Sequence, residues 1–410
     1  MPASTTLPPV PIDIAGRAFK ADPYPTYARL RDEMPVAPVV LPDRRRAWLV
    51  TRYDDVLAAL KDPRLVKDRR VALTAEQVRR EPWMPAMVRP LTRNMLDLDG
   101  ADHLRLRGLV HKAFTPRLVE RMRDRVQALA DARLEAALAR GAMDVIADYA
   151  EPIPTAIIAD MLAVPAGDQP RFRRWSSGIV QATASRWGML PALPHLYFFL
   201  RYIRRLIADR RRALGDDLLS ALVAAEESGD QMSEDELVAM VFLLLVAGHE
   251  TTVNLIGNGT LALLEHPEAY ARLRAEPELV RTGVEELLRF YSPVEMATER
   301  FAREAVEVAG VTIPRGELVL AVLASANRDP RQFPDADTLD LAREPNRHVA
   351  FGHGVHYCLG APLARLEGQI AIGSLVARFG AVRLAVPRDR LRWRPGLVVR
   401  GLARLPVRVG

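Results

Sequence analysis

Residues 351–360 read FGHGVHYCLG, and they hold Cys358, the single cysteine of a 410-residue chain. Gly352, Gly354 and Gly360 crowd around it, His353 and His356 precede it, and an apolar helical pattern, LGAPLARLEGQIAIGSLVARF, begins at once. Glycines let a backbone turn tightly and come close to a flat ligand with no side chain in the way. A thiolate just before a helix N-terminus is stabilised by the helix dipole and by unpaired N–H groups. Pro362 falls in the first turn, where its missing N–H costs nothing. The stretch therefore reads as a tight loop that presents one thiolate and is backed by a helix, which is a way to hold a metal from one side. Two other readings compete. A lone cysteine is commonly a small buried hydrophobe, but that leaves the glycine frame without a purpose. Zinc would use His353, His356 and Cys358, yet a closed zinc site wants four ligands in recognisable pairs.

Composition bounds the rest. A hydrophobic content of 49% and a charged content of 26% are those of a soluble globular protein. The net charge of +6 invites a nucleic-acid reading. Against it, the basic residues are almost all arginines mixed with acids along the chain, with small clusters only at Arg44–Arg46, Arg204–Arg205 and Arg210–Arg212. That pattern is a solvated surface, so no nucleic-acid partner is expected. One cysteine excludes an intramolecular disulfide framework and fits a reducing compartment. The start, MPASTTLPPVPIDIAG, shows no basic segment followed by an apolar run. The apolar run at 241–248 falls far short of the roughly 20 residues of a membrane span. A soluble, cytoplasmic protein with no membrane contact is expected.

Along the chain, residues 1–20 are Pro-rich and read as an extended arm. A helix is expected over 24–33, a strand over 47–53 and a helix over 54–60. Recurring prolines make 62–99 a long loop, of the kind that often serves as a functional lid. Helices follow over 102–114, 117–139, 147–163, 168–185 and 192–214, the last two joined by the link RWGMLP. Ser233-x-x-Glu236 is a capping box. From it an apolar pattern runs to Glu265, about 48 Å at 1.5 Å per residue. Midway, AGHETT (247–252) interrupts the pattern with a glycine, an acid and two threonines whose hydroxyls can bond the preceding turn. GNGTLA (257–262) fits a dinucleotide fingerprint but lies inside the helix with no strand before it, and is rejected. A helix over 277–291 places Glu286 and Arg289 on one face, flanked by apolar residues, so the pair is partly buried. Short strands with a turn at Gly310 come next, then an irregular stretch over 327–350, the cysteine loop and its helix. Short strands with a turn near Gly396 end the chain.

Phe351-x-x-Gly354-x-x-x-Cys358-x-Gly360 resembles the heme-ligand loop of the cytochrome P-450 family. AGHETT resembles that family's oxygen-binding groove, Glu286-x-x-Arg289 its ExxR pair, and GADHLRLRGLV followed by KAFTP its heme-propionate helix. The four motifs stand in the family's order over nearly the whole chain. The resemblance implies a fold that is mainly α with a small β-rich lobe, the cytochrome P-450 fold, as one domain over 1–410. It implies heme b (iron protoporphyrin IX) with Cys358 as the axial ligand, a ligation that favours O–O cleavage. It implies His103, Arg107, Arg300 and His356 as partners of the heme propionates, and Glu250 and Thr251 as the groups that deliver protons to O2. Glu286, Arg289 and Arg343 would be structural. Val246, Ala247, Val294 and Leu397 would line a substrate pocket, with contacts also from 83–95 and 175–187, and the helices at 168–185 and 192–214 would form a mobile access cover. The implied reaction inserts one oxygen atom of O2 into a hydrophobic small molecule, by hydroxylation or epoxidation, in the macrolide, terpenoid, steroid or fatty acid class. The chain has no room for a fused reductase, so a separate ferredoxin or flavodoxin with its NAD(P)H reductase would supply electrons to a monomer. Two alternatives stay open: a peroxide-driven peroxygenase, which usually lacks the acid–threonine pair, and a non-enzymatic heme sensor, which would not need it.

Overall fold

The apolar helix that begins after Ser233 is the axis of the molecule. It spans Glu234–Glu265, 32 residues, and its capping box is formed: Ser233 Oγ accepts from the Glu236 N–H at 3.2 Å, and the Glu236 carboxylate accepts from the Ser233 N–H at 2.8 Å. The computed structural model describes residues 8–79, 91, 93–172, 174–175, 178, 189–227 and 232–410. Among these, Glu234–Glu265 is the one helix long and apolar enough to cross a membrane, although no unbroken apolar run in it exceeds a few turns. Here it is a core helix, buried at nearly every position from Val253 to Leu263. Helices Pro152–Met161, Val280–Phe290 and Ala361–Arg378 pack directly against it.

Several expected helices are broken where the backbone cannot continue. The one expected over 117–139 is two, Pro116–Arg121 and Arg123–Arg140, the first capped by Thr115, whose hydroxyl accepts from the Leu118 N–H. The one over 147–163 is a π-helical turn, Val145–Ala150, followed by Pro152–Met161. Pro152 has no N–H to extend the ladder, and the wider turn absorbs the fault. Pro277–Leu279 is a 3₁₀ turn ahead of Val280–Phe290. In the region of the expected cover, helix Met189–Arg212 starts inside the RWGMLP link, while 179–188 lie outside the described residues. Helices Leu218–Glu227 and Pro267–Ala275 were not expected. The stretch 62–99 is less irregular than its prolines suggest. It contains a short strand and the helices Arg69–Ala72 and Ala75–Arg79, the first capped by Asp68; residues 80–90 and 92 lie outside the described residues. The N-terminal arm is not extended to residue 20. Val10 bridges Val39, and Arg17–Ala21 is a helix held by buried Lys20. Residues 1–7 lie outside the described residues.

The strands are β1 (Val36–Val40), β2 (Arg46–Val50), β3 (Leu65–Val66), β4 (Ala142–Asp144), β5 (Arg300–Ala302), β6 (Val306–Val308), β7 (Val311–Ile313), β8 (Leu318–Ala321), β9 (Val382–Leu384) and β10 (Pro406–Val409). Five form the β-rich lobe in the order β1-β2-β8-β5-β3. β1 and β2 are an antiparallel hairpin, β2 and β8 run parallel with Trp48 opposite Val319, and β5 lies antiparallel to both β8 and β3. β6 and β7 form a hairpin turned at Gly310, whose φ of +76° suits glycine. β4, β10 and β9 make a third, small sheet. The five-stranded sheet sets Arg300, at the head of β5, against the cavity described next.

Candidate active site

Two elements face each other across a cavity of about 630 Å³: the cysteine loop on one wall and the middle of helix Glu234–Glu265 on the other. The loop is fixed by its own backbone. The Cys358 N–H donates to the Phe351 carbonyl at 2.9 Å, and the Tyr357 N–H to that of Gly354 at 3.0 Å. Gly352 and Gly354 sit at φ +69° and +75°, and a Cβ on Gly354 would lie 3.2 Å from the Leu60 carbonyl oxygen. Only glycine meets both demands. Arg107 Nη2 donates to the Tyr357 carbonyl at 2.6 Å. Arg365 stacks over the Phe351 ring at 4.5 Å while forking onto Glu285 at 2.8 and 2.7 Å.

Cys358 is exposed and lines the cavity. Burial pushes its thiol pKa up, against the Gly360 and Ala361 N–H groups and the Arg107 and Arg365 guanidiniums, which pull it down.

On the opposite wall Thr251 Oγ1 donates back to the Ala247 carbonyl at 2.7 Å. Glu250 Oε1 is 3.8 Å from Arg394 Nη1, a residue of the C-terminal segment; burial raises the Glu250 pKa and Arg394 lowers it. His249 points away, into a buried bond with Thr155 Oγ1 at 2.8 Å. Since that hydroxyl already donates to the Glu151 carbonyl, His249 Nδ1 is the donor. Val246, Ala247, Val294 and Leu397 all line the cavity, as does Met95. Of the other stretches expected there, 83–90 and 179–187 lie outside the described residues.

One end of the cavity is polar. Arg300 is buried, with Nη1 bound to the Leu65 carbonyl at 3.2 Å and Nε without a partner. His356 Nε2 is likewise buried without a hydrogen bond, 3.7 Å from Asp99 Oδ1, and burial lowers its pKa to about 4. His103 stands one layer back. Its ring lies 4.1 Å from that of His356, and its nitrogens face the carbonyls of Met95 and Val355. Behind Arg300 is Lys67, bound to Thr298 Oγ1 and to the Glu299 carbonyl, its pKa lowered to about 7 by burial and by Arg300. Buried donors without partners are costly. One such donor, Arg300 Nε, and the unpartnered His356 Nε2 beside a thiol in a largely apolar cavity match a flat apolar group with an anionic edge and a metal centre.

Apart from the cavity, Glu286 and Arg289 are fully buried and joined by two bonds of 2.7 and 2.8 Å. Arg289 also donates to the carbonyls of Asn327, Ala336 and Thr338, and Arg343 and Asn346 complete the Glu286 carboxylate.

The family model of cytochrome P-450 matches residues 47–400. The chain belongs to the cytochrome P-450 family. A vitamin D(3) 25-hydroxylase of Pseudonocardia autotrophica is 45% identical, over 97% of this chain and 96% of that one. The solved structure of the cytochrome P-450 PksS, of the bacillaene polyketide synthase of Bacillus subtilis, superposes with a TM-score of 0.90 at 41% identity, covering 97% of this chain and 100% of the other. A myxobacterial cytochrome P-450 in complex with myristic acid gives 0.89 at 44%, covering 97% and 98%. The fold is therefore that of the cytochromes P-450, and the chain is a heme-iron monooxygenase acting on hydrophobic substrates.

Three residues of this P-450, one lining the cavity and two beside its lining, escape a sequence reading. Arg394 lies far from AGHETT in sequence and carries no motif. Lys67 looks like a surface lysine beside Asp68. Glu367 is buried on the cavity, with its Oε1 unpartnered, and burial raises its pKa to about 8 against the pull of the Thr252 hydroxyl. A signal for it existed: one acid in the apolar phase of Leu363, Leu366 and Ile370.

Proposed function

We propose that residues 1–410 act as one cytoplasmic, monomeric catalytic domain in which heme b is held between the cysteine loop and helix Glu234–Glu265. Cys358 would be the axial ligand, and a coordinating metal deprotonates a thiol outright, which supplies the thiolate that the buried chain alone disfavours. Arg300 and His356 would bind the propionates with their unpartnered N–H groups; His103 fixes the His356 ring from behind, and Arg107 clamps the loop through Tyr357. The bound heme supplies activation of dioxygen. The chain supplies the rest. Thr251 offers a hydroxyl at the wall facing Cys358. Glu250, tethered to partly exposed Arg394, can take protons from outside and pass them inward. The apolar wall of Val246, Ala247, Val294 and Leu397 excludes water and orients a hydrophobic substrate for hydroxylation or epoxidation. The vitamin D, polyketide and fatty-acid names among the similar proteins favour a steroid-like, macrolide or fatty-acyl substrate. Electrons would come from a separate ferredoxin or flavodoxin and its NAD(P)H reductase.

The observation that carries this reading is the juxtaposition of Cys358 and Thr251 across one cavity with unpaired donors at one end. Reduced protein with carbon monoxide should show the red-shifted Soret band of thiolate-ligated heme, and Cys358→His should lose it. Bound zinc and no heme would overturn the assignment. Dioxygen uptake with an added redox system separates a monooxygenase from a peroxide-driven enzyme and from a sensor. A spectral binding screen over lipids, steroids and macrolides would narrow the substrate.

A further inference from the structure

The outer side of the substrate wall is built by the N-terminus. Val294 and Leu397 line the cavity from two segments zipped together by the Val294–Val399 bridge and by the Glu295 and Met296 N–H groups, which both donate to the Val398 carbonyl, at 2.8 and 3.1 Å. Behind this pair lies helix Arg17–Ala21. Lys20 is fully buried; its Nζ binds the Glu295 carboxylate and the Leu397 carbonyl, the latter at 3.3 Å. Tyr27 donates its hydroxyl to the other oxygen of Glu295. The Gly396 N–H donates to the Ala15 carbonyl at 3.1 Å, and Arg400 Nε to the Lys20 carbonyl at 2.8 Å.

One ammonium thus ties together the two segments that shape one wall, from a helix that does not reach the cavity. A buried ion pair loses about as much in desolvation as it gains in attraction, and apolar residues of the same size often replace it without loss. Its geometric effect is different. Lys20 has three donors, and two acceptors sit on the two wall segments, so the ammonium fixes their spacing. Side chains on the inner face of that wall move with it.

We propose that Lys20 is a positioning residue for substrate selection: through Glu295 and Leu397 it sets the place of the wall that carries Val294, and so decides which bulky hydrophobic molecules fit. The inference rests on the reading of the cavity as a heme and substrate site.

The test uses the holoenzyme and two heme ligands, read as spectral shifts. Imidazole needs only access to the iron, whereas clotrimazole must also fit the wall. The variants are the double substitution Lys20→Met/Glu295→Gln, which leaves no unpaired buried charge, and Tyr27→Phe, which keeps the ion pair and removes one hydrogen bond. The double variant should bind clotrimazole at least about tenfold more weakly, the scale of one misplaced methylene in a hydrophobic pocket, with imidazole affinity unchanged. Tyr27→Phe should shift clotrimazole binding in the same direction by less. Clotrimazole affinity equal to wild type in the folded double variant overturns the proposal. So does equal weakening of both ligands, which marks a general loss of structure. Absence of an imidazole shift in the wild type would instead remove the heme reading on which the proposal stands.

Discussion

At the scale of single residues, the middle of the central helix separates two jobs. Thr251 presents a hydroxyl to the cavity, and Glu250 reaches sideways to Arg394. Thr251→Ala should keep substrate affinity and dioxygen uptake while most reducing equivalents go to hydrogen peroxide. Glu250→Gln should slow turnover itself by about a hundredfold, the usual worth of a positioned general acid. Product formed per reduced nicotinamide, with peroxide assayed alongside, decides both; unchanged coupling and turnover would mean another proton route. At Gly248 a Cβ would meet Ile158 Cδ1 at 3.0 Å, so packing against helix Pro152–Met161 also favours a small residue there. Glu367 carries a pH prediction. The fold holds its proton up to about pH 8, while an unfolded chain releases it near 4.5. Between those values the unfolded state binds fewer protons, so stability falls as pH rises, by about 1.4 kcal/mol per unit. Glu367→Gln removes that slope. Its urea midpoint should gain on the wild type steadily from pH 5 to pH 8, and parallel curves would show an ionised carboxylate.

At the scale of elements, the Glu286–Arg289–Arg343 cluster joins helix Val280–Phe290 to the irregular stretch that leads into the cysteine loop. Its energetic weight follows from burial: neither Glu286 nor Arg289 touches solvent, so removing one partner strands the other. Arg289→Ala should cost about 3–5 kcal/mol. Arg289→Lys, which keeps the charge but not the planar fork, should recover only part of it. A denaturant series reads the loss, and a cost below about 1 kcal/mol would reduce the cluster to the worth of a surface pair. Much at this scale was legible in sequence. The 3.6-residue apolar period, the capping box and the turn at Gly310 act within a few residues and give their elements directly. The failures have local causes too. Pro152 splits a helix that the apolar period alone would join, and the helix expected from Pro277 begins with a 3₁₀ turn. The two short helices in 62–99 are too short for a period to show, and the Asp68 cap was the cue available.

At the scale of the whole molecule, what the sequence concealed is whatever depends on distant pairing. The cysteine loop, AGHETT and ExxR are each read in place, but nothing local says that β3 pairs with β5, that β2 runs parallel to β8, that Arg394 reaches Glu250, or that Lys20 reaches Glu295. The surface over the thiolate side of the cavity is also a property of the assembled chain. Leu104, Val355 and Tyr357 are exposed there, 61%, 60% and 38%, an apolar centre that no single segment announces. Lys112 stands on the same helix as Leu104 and Arg107, and that helix is bound to the loop through the Arg107 contact with Tyr357. Arg105 and Arg365 lie nearby, paired with Glu236 at 2.6 Å and with Glu285. A small acidic electron donor approaching this face would meet apolar contact at the centre and positive charge at the rim, the arrangement that steers encounter. Lys112→Glu should therefore slow reduction by an acidic ferredoxin several-fold at low ionic strength, mainly through the association rate. The two proteins should converge near 1 M salt, where the Debye length is about 3 Å. Stopped-flow reduction under carbon monoxide, repeated across a salt series, makes the measurement. A rate indifferent to both salt and the substitution would move the docking face elsewhere on the molecule.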